Sequence, residues 1–293
     1  MDLLHPRLDG PGRLRALLGA GELVVAPGAY DAFSARLAAL AGFPAVYLTG
    51  FGASASLLGR PDVGLLTLSE MAGQAARLAA AVDVPVIADA DTGYGNPLNV
   101  IRTVQAYEAA GVAALHLEDQ VLPKRCGHME GKELIPAAEM AAKVRAAAAA
   151  RQNPDFVLIA RTDARAVEGF DAALDRLARC LDAGADVAFL EAPESEEEIE
   201  RTAVALAPAP LLFNWVEKAR SAPVSRARLA ELGYAIVIYP ISALLAAAGA
   251  VQAALAALAA GEPPAPALSF DEFNRLIGLD EVRALEARFG QDR

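Results

Sequence analysis

The segment KRCGH, residues 124–128, places a thiol among cationic side chains. Cys126 lies between Arg125 and Gly127, with Lys124 and His128 close by. Because neighbouring cations favour the thiolate and lower the pKa of a cysteine, Cys126 is expected to give up a proton readily. The pattern predicts a general acid on a loop, and an incidental thiol in a basic surface loop is the alternative.

Four carboxylates form a second group that could do chemistry. Asp62, Asp89, Asp91 and Glu118 are expected to meet at one place, where mutual repulsion would raise their pKa values unless a cation lay among them. All-oxygen ligands with retained water are typical of Mg²⁺, with Mn²⁺ as a substitute. Such a metal would act as a Lewis acid and stabilise negative charge on an enolate.

Arg161 adds a cation that can bind a substrate carboxylate through its two-pronged guanidinium. Together with the metal site and Cys126, it predicts an enzyme that makes or breaks a bond next to an α-keto or α-hydroxy carboxylate. The alternative is a protein of another class, a barrel that binds a ligand without catalysis, in which the carboxylates would take part in no reaction.

Eight short apolar runs bounded by turn residues can position these groups. They cover residues 23–27, 45–49, 85–89, 113–118, 156–162, 187–191, 210–214 and 234–240, with helical patterns such as 69–82, 97–110, 136–151 and 170–183 between them. Helix, glycine and strand recur in that order, which is typical of a parallel sheet. The sequence therefore predicts an α/β fold, a (β/α)₈ TIM-type barrel.

Polar residues end six of these strands in succession: Thr49, Asp89, Glu118, Arg161, Glu191 and Asn214. In a TIM barrel such residues meet at the carboxyl mouth, where catalytic groups lie. Two connections, residues 50–67 and 119–135, are long enough to be lids, and the second contains KRCGH.

Composition excludes several classes of protein. The chain has 293 residues, two cysteines and a formal net charge of −11, which disfavours nucleic acid, anionic membranes and a four-thiolate zinc site. No secretory signal is visible, so a cytoplasmic location is expected. Residues 241–261 are apolar enough to span a membrane, but they are mostly alanine, with Gln252 in the middle, and a helix packed in a protein core is expected.

Two regions are predicted, a catalytic barrel over residues 1–261 and a C-terminal arm over residues 262–293. The arm begins with the proline-rich connector EPPAPA and continues as an amphipathic helical pattern over residues 269–289. We expect the arm to pack on a neighbouring subunit. Cys180, in the middle of a helical pattern, is expected to be a small core residue.

Longer strings in the chain resemble those of a known family. GAYDAFSARLAALAGFPAVYLTG, ADADTGYG, HLEDQVLPKRCGH, LIARTDA, LEAP and NWVE together resemble the isocitrate lyase/phosphoenolpyruvate mutase superfamily, from about residue 11 to residue 289. The resemblance implies a barrel whose last helix is exchanged between subunits, giving a homotetramer built as a dimer of dimers.

The resemblance also implies roles for individual residues. Asp89 would bind Mg²⁺ directly, while Asp62, Asp91 and Glu118 would hold metal-bound waters. The residues assigned to catalysis are Cys126, Tyr47, Arg161, Lys124 and His128. The residues assigned to substrate binding are Thr49, Gly50, Phe51, Arg125, Gly127, Glu191 and Asn214.

Departures from the family pattern bear on the substrate. Where 2-methylisocitrate lyases tend to have three glycines this chain has Gly50-Phe51-Gly52, and where they tend to have a hydroxyl it has Val216. Its NWVE is nearer the NMVE of the dimethylmalate lyase and carboxyphosphonoenolpyruvate phosphonomutase branch, although Trp215 replaces the usual methionine.

The resemblance therefore implies a Mg²⁺-dependent carbon–carbon lyase. Its expected partner is a small 2-hydroxy or 2-oxo dicarboxylate, of the 2,3-dimethylmalate or 2-methylisocitrate kind, which it would cleave to pyruvate and a carboxylic acid. Cys126 would protonate the departing carbanion. A phosphonomutase that forms a carbon–phosphorus bond and an oxaloacetate decarboxylase are the alternatives.

Overall fold

A computed structural model of the protein describes residues 9–127, 129–217, 223–265 and 268–290. Eight parallel strands form one closed barrel: β1 (Val24–Ala29), β2 (Val46–Leu48), β3 (Val86–Asp89), β4 (Ala114–Glu118), β5 (Val157–Thr162), β6 (Val187–Leu190), β7 (Leu211–Asn214) and β8 (Tyr234–Tyr239). Each strand pairs with the next along the chain, and β8 pairs with β1. The predicted (β/α)₈ barrel is confirmed.

Twelve α-helices lie in the described ranges: α1 (Gly10–Gly19), α2 (Ala32–Leu40), α3 (Gly50–Leu58), α4 (Leu68–Ala81), α5 (Pro97–Ala110), α6 (Ala137–Ala150), α7 (Phe170–Asp182), α8 (Glu196–Ala205), α9 (Arg226–Glu231), α10 (Ser242–Ala259), α11 (Phe270–Leu276) and α12 (Leu279–Phe289). Local chemistry sets their ends, as α5 illustrates. The side-chain oxygen of Asn96 accepts a hydrogen bond from the N–H of Leu98 at 2.9 Å, and Gly111 ends the helix with φ 85°.

The core has two layers that follow from side-chain alternation along the strands. Inside the barrel, Tyr47, Ile87, Ile159 and Phe189 belong to one buried cluster, to which α1 adds Leu14. The other face of the strands packs against the surrounding helices. Cys180 belongs to this outer layer with 3% exposure, which confirms it as a core residue, and burial raises its pKa to about 12.

The two long connections differ in structure. The prediction that residues 50–67 form a loop is wrong for its first half, which is helix α3. Thr49 starts this helix as its N-cap, because its side-chain oxygen accepts a hydrogen bond from the N–H of Gly52 at 3.2 Å. The second connection is a loop whose two ends are joined by a hydrogen bond from the N–H of Val121 to the carbonyl of Glu133, 2.8 Å long.

Helix α10 does not pack in the core of its own chain, because none of its residues is buried. The prediction of a core helix is therefore wrong for a single chain. Among the described residues, α10 is the one helix whose length and apolar composition would suffice to cross a membrane.

The C-terminal arm is two helices rather than the single predicted one. The break lies at Gly278, whose left-handed backbone (φ 95°) separates α11 from α12. On its own barrel the arm contacts α2, where the rings of Phe33 and Phe273 lie 5.4 Å apart and the Nε of Arg36 donates to the carbonyl of Leu276. Most of the arm is exposed, and its packing on another subunit stays a prediction.

Candidate active site

The carboxyl ends of the strands surround a cavity of about 250 Å³ at the barrel mouth. Its walls are formed by Tyr47, Thr49, Phe51, Asp62, Asp89, Lys124, Cys126, Gly127, Arg161, Glu191, Asn214, Val216, Glu217, Pro240 and Ile241. Most of the residues predicted from strand ends and lid therefore meet at one cavity. The barrel brings them together because parallel strands direct their carboxyl ends to the same side.

Asp89 is held at the end of β3 by backbone donors. Its Oδ1 accepts a hydrogen bond from the N–H of Asp91 at 2.9 Å, and its Oδ2 accepts one from the N–H of Gly50 at 3.2 Å. Burial alone would raise the pKa of Asp89, but neighbouring His116 and Lys124 lower it to about 2. Burial also lowers the pKa of His116 to about 4, so the lasting charge beside Asp89 at neutral pH is the ammonium of Lys124.

Lys124 enters the carboxylate group from the lid. Its Nζ lies 2.7 Å from Asp62 Oδ2 and 2.8 Å from Asp91 Oδ1, and its side chain is 3% exposed. Burial raises the pKa of Asp91 to about 6 and raises the pKa of Glu118 well above its usual value. Elevated pKa values were expected from mutual repulsion, but removal from water is their first cause.

The donor set fits a divalent cation. Glu118 Oε1 is buried without a hydrogen-bond partner among the described residues, and the ammonium of Lys124 lies where a cation would compensate Asp62 and Asp91. Among the residues that the structure describes, no group of three or more His, Cys, Asp or Glu side chains forms a preformed metal-ligand cluster. A cation bound directly by Asp89 and otherwise through water needs no such cluster, and Mg²⁺ is commonly held in this way.

Arg161 is surrounded by carboxylates, which raise its pKa despite burial. Asp163 accepts hydrogen bonds from Nε at 3.0 Å and from Nη2 at 3.2 Å, so this edge of the guanidinium is occupied. The expected two-pronged clamp must therefore use the other edge. Glu191 Oε2 lies 3.6 Å from Nη1 and accepts a hydrogen bond from Asn214 Nδ2 at 3.2 Å.

Tyr47 has a partner that the sequence did not single out as functional. Its hydroxyl lies 2.7 Å from Nε2 of His116, a fully buried imidazole inside the barrel. Burial raises the pKa of Tyr47 well above its usual value, so the hydroxyl keeps its proton. His116 precedes Glu118 by two positions, and strand alternation was the signal that placed it on the inner face.

The lid residues divide into two groups. Lys124, Cys126 and Gly127 line the cavity, and a Cβ on Gly127 would collide with Arg161 and Glu191. Arg125 is exposed and donates from Nη1 to the carbonyl of Glu130 at 3.2 Å, so the structure does not bring it into the cavity. His128 lies outside the described residues.

Part of the cavity lining is apolar. It includes Phe51, Val216, Pro240 and Ile241, and none of these side chains can donate or accept a hydrogen bond. Sequence reasoning included Phe51 and Val216 but missed Pro240, Ile241 and the neighbouring Glu217. These residues follow β7 and β8, so the strand-end rule could have found them.

Comparison with known proteins gives this arrangement a family. The chain matches the phosphoenolpyruvate phosphomutase family over residues 14–259. It is 47% identical to a 2,3-dimethylmalate lyase of Eubacterium barkeri, covering 98% of this chain and 100% of the relative. It is 46% identical to a probable 2-methylisocitrate lyase of Corynebacterium glutamicum, covering 83% of this chain and 79% of that one.

A solved structure extends the likeness to the whole fold. An oxaloacetate acetylhydrolase in complex with the inhibitor 3,3-difluorooxalacetate superposes with a TM-score of 0.93 at 39% identity, covering 97% of this chain and 98% of that one. The chain therefore belongs to the phosphoenolpyruvate phosphomutase family and is a lyase of the isocitrate lyase/phosphoenolpyruvate mutase superfamily.

Proposed function

We propose that the protein is a Mg²⁺-dependent lyase that cleaves a 2-hydroxy dicarboxylate of the 2,3-dimethylmalate kind to pyruvate and a carboxylic acid. One observation carries the proposal: the cavity lining combines the charged side chains of Asp89, Lys124 and Arg161 with the apolar side chains of Phe51, Val216, Pro240 and Ile241. A substrate that carries both carboxylates and alkyl groups fits this combination. The full-length similarity to a 2,3-dimethylmalate lyase supports the same choice.

The residues of the chain supply binding and proton transfer. Asp89 would hold a Mg²⁺ ion directly, Asp62, Asp91 and Glu118 would hold it through water, and the ion would supply Lewis-acid stabilisation of negative charge. Arg161 binds a substrate carboxylate through its remaining edge. Tyr47, kept neutral by burial, donates a hydrogen bond to substrate oxygen.

Cys126 completes the reaction. As the hydroxyl loses its proton, its electrons form the carbonyl of pyruvate, and the electron pair of the broken carbon–carbon bond passes to the departing carbon. The thiol of Cys126 gives its proton to that carbon, and the proton lost by the hydroxyl restores the thiol through solvent. The reaction thus needs no other co-reactant. Gly127 and the lid exclude bulk water from the carbanion.

The apolar part of the lining predicts the substrate preference. The side chains of Val216, Pro240 and Ile241 offer no hydrogen bond to a third carboxylate, and an unpaired buried charge is destabilising by several kcal/mol. We therefore expect 2,3-dimethylmalate to exceed 2-methylisocitrate in kcat/KM by at least about tenfold, about 1.4 kcal/mol. Pyruvate release from both compounds at saturating Mg²⁺ measures this ratio, and a reversed ratio would refute the assignment.

Oxaloacetate is the second candidate substrate, because the chain superposes closely on an oxaloacetate acetylhydrolase. Oxalate release in the same assay would indicate hydrolysis, and pyruvate with carbon dioxide would indicate decarboxylation. Carbon–phosphorus bond formation, detected by ³¹P NMR with a phosphonate product, would indicate a phosphonomutase. If any of these exceeds turnover of 2,3-dimethylmalate, the proposed substrate is wrong.

The proposal extends to assembly and location. The unburied helix α10 supports exchange of this helix between subunits and a homotetramer, with the arm of residues 262–293 packed on a neighbour. The acidic charge of −11 and the small-molecule substrate support a cytoplasmic enzyme.

A further inference from the structure

Lys132 is a buried lysine whose position neither the predicted chemistry nor the metal site explains. It lies in the lid loop, five residues after Gly127, and is 9% exposed. Its Nζ donates to the carbonyl of Gly127 and lies 2.9 Å from Oδ1 of Asp163. A lysine is seldom buried in this way unless its charge is paired.

The partners of Lys132 connect two parts of the site. Gly127 follows Cys126 in the lid, while Asp163 binds the Nε and Nη2 edge of Arg161. Asp163 is fixed in turn by its own N–H, which donates to Asp119 Oδ1 at 2.9 Å. Arg161 and Lys132 hold the pKa of Asp163 well below its usual value against the effect of burial, so its carboxylate is charged.

We propose that Lys132 holds the lid closed. Its ammonium bridges the Gly127 carbonyl and the Asp163 carboxylate, and thereby holds Cys126 in place over the cavity beside Arg161. Lys132 does not line the cavity, so it acts as a positioning residue rather than as a catalytic one. Lys124 anchors the same loop through Asp62 and Asp91, the carboxylates that a metal would use. Lys132 contacts Gly127 and Asp163 instead, so metal binding would leave its contacts in place.

The test measures how often the lid opens. Cys126 is only partly exposed and fluorescein maleimide is bulky compared with a cavity of about 250 Å³, so labelling of the wild-type protein is expected to be slow. Peptide mapping by mass spectrometry separates labelling of Cys126 from labelling of Cys180, which is buried in α7 and serves as an internal reference for global unfolding. The inference rests on the proposed function only in taking this cavity as the substrate site. Labelling needs no turnover, so a wrong substrate would not alter the result.

Lys132→Met is expected to raise the labelling rate of Cys126 at least about tenfold, because the lid loses a buried charge-assisted bond, while Cys180 stays unlabelled. Lys132→Arg, which keeps a cation, is expected to retain slow labelling. Lys132→Gln, which keeps a donor for the Gly127 carbonyl but no charge, is measured in parallel in case the methionine variant does not fold.

The matched control is Lys143→Met. Lys143 is also a buried lysine, 3% exposed, but it donates to the carbonyl of Thr92 at 3.0 Å and does not touch the lid. Its removal is expected to leave the labelling rate of Cys126 unchanged. Wild-type labelling of Cys126 in folded Lys132→Met or Lys132→Gln, or an equal increase at Cys126 and Cys180, would overturn the proposal.

Discussion

At the scale of single residues, the site combines a carboxylate group, a cation that compensates it and a thiol on a lid. Lys124 connects the carboxylates to the lid. Its ammonium lies between Asp62 and Asp91, and Cys126, two positions later in the same loop, lines the cavity. A metal ion bound to the same carboxylates as this lysine would make metal binding and lid position interdependent. Chemistry at this site is therefore sensitive to each of these charges.

Asp89 carries the first prediction, which concerns the metal. Adding Mg²⁺ at about 100 times its Kd is expected to stabilise the wild-type protein by about 2.7 kcal/mol and to raise its Tm. Asp89→Ala should lose both this rise and turnover, because the remaining carboxylates hold a metal only through water. Thermal melts with Mg²⁺ and with EDTA measure the effect.

The control for this prediction is Asp175→Ala, which removes an exposed aspartate paired with Arg179 on the surface. It should leave the Mg²⁺-dependent rise in Tm intact. Full turnover of Asp89→Ala in EDTA would contradict the metal hypothesis.

Cys126 carries the second prediction. Cys126→Ser should reduce lyase turnover by at least about 100-fold, because a hydroxyl is a far weaker acid than a thiol, while the affinity for pyruvate with Mg²⁺ should be retained. Oxaloacetate decarboxylation should fall less, since solvent can protonate its enolate. Pyruvate release and calorimetric pyruvate binding test the two statements.

Cys180→Ala is the matched control, because Cys180 is buried in the outer layer of the barrel and does not line the cavity. It should lower stability without a comparable loss of turnover. Small and equal losses from both cysteine variants would mean that Cys126 is structural.

At the scale of elements, helix α3 is the feature that most directly shapes the site. Its N-terminus faces Asp89, with the N–H of Gly50 donating to Oδ2 and Thr49 forming the N-cap. The partial positive charge of a helix N-terminus favours a carboxylate at this point. The helix therefore orients Asp89, in addition to covering one side of the cavity with Phe51.

Gly50→Ala is the prediction at this scale. A Cβ at this position would lie 2.5 Å from Asp89 Oδ2, so either the carboxylate or the helix must shift. We expect a loss of kcat of about tenfold or more, since small displacements of a positioning group have large effects on rate. Steady-state kinetics with circular dichroism separates this loss from unfolding.

Gly73→Ala serves as the matched glycine control. Gly73 lies within α4, where an added Cβ would approach nothing closer than Arg77 Nη1 at 3.8 Å. Alanine should keep full activity there and increase stability by up to about 1 kcal/mol. Unchanged kcat in Gly50→Ala would show that the helix does not position Asp89.

At the scale of the whole molecule, the outer surface of α10 supports the proposed assembly of several chains. Leu245, Val251, Leu255 and Leu258 are each about half exposed on this helix, with Leu255 at 59%. A row of exposed apolar side chains on a long helix is typical of an interface. Exchange of this helix between subunits would bury the row.

Leu255→Glu tests the assembly. The wild-type protein should sediment at four times the 30.4 kDa mass of the chain, and the variant should dissociate because a charge would be buried in the interface. Val204→Glu, at a residue of α8 with 75% exposure, should leave the assembly intact. An active wild-type monomer at micromolar concentration would refute the tetramer.

The sequence by itself determined the barrel and most of the site. Alternation along the strands and a polar residue at the end of six strands placed Asp89, Glu118, Arg161 and Asn214 around one mouth. These inferences hold because strand period and parallel topology are local properties, and the barrel then converts them into proximity. The cap at Asn96 and the end of α5 at Gly111 are likewise set by neighbouring residues.

Tertiary structure alone decided how these groups are paired. Lys124 reaches Asp62 across 62 positions, and Lys132 reaches Asp163 across 31, so neither pair is visible in any short motif. KRCGH marked the lid but could not show that Arg125 turns outward. Which edge of a guanidinium is occupied, and whether α10 is covered, depend on the path of the loops and on neighbouring chains. Those contacts join distant residues, and their geometry arises only when the barrel closes.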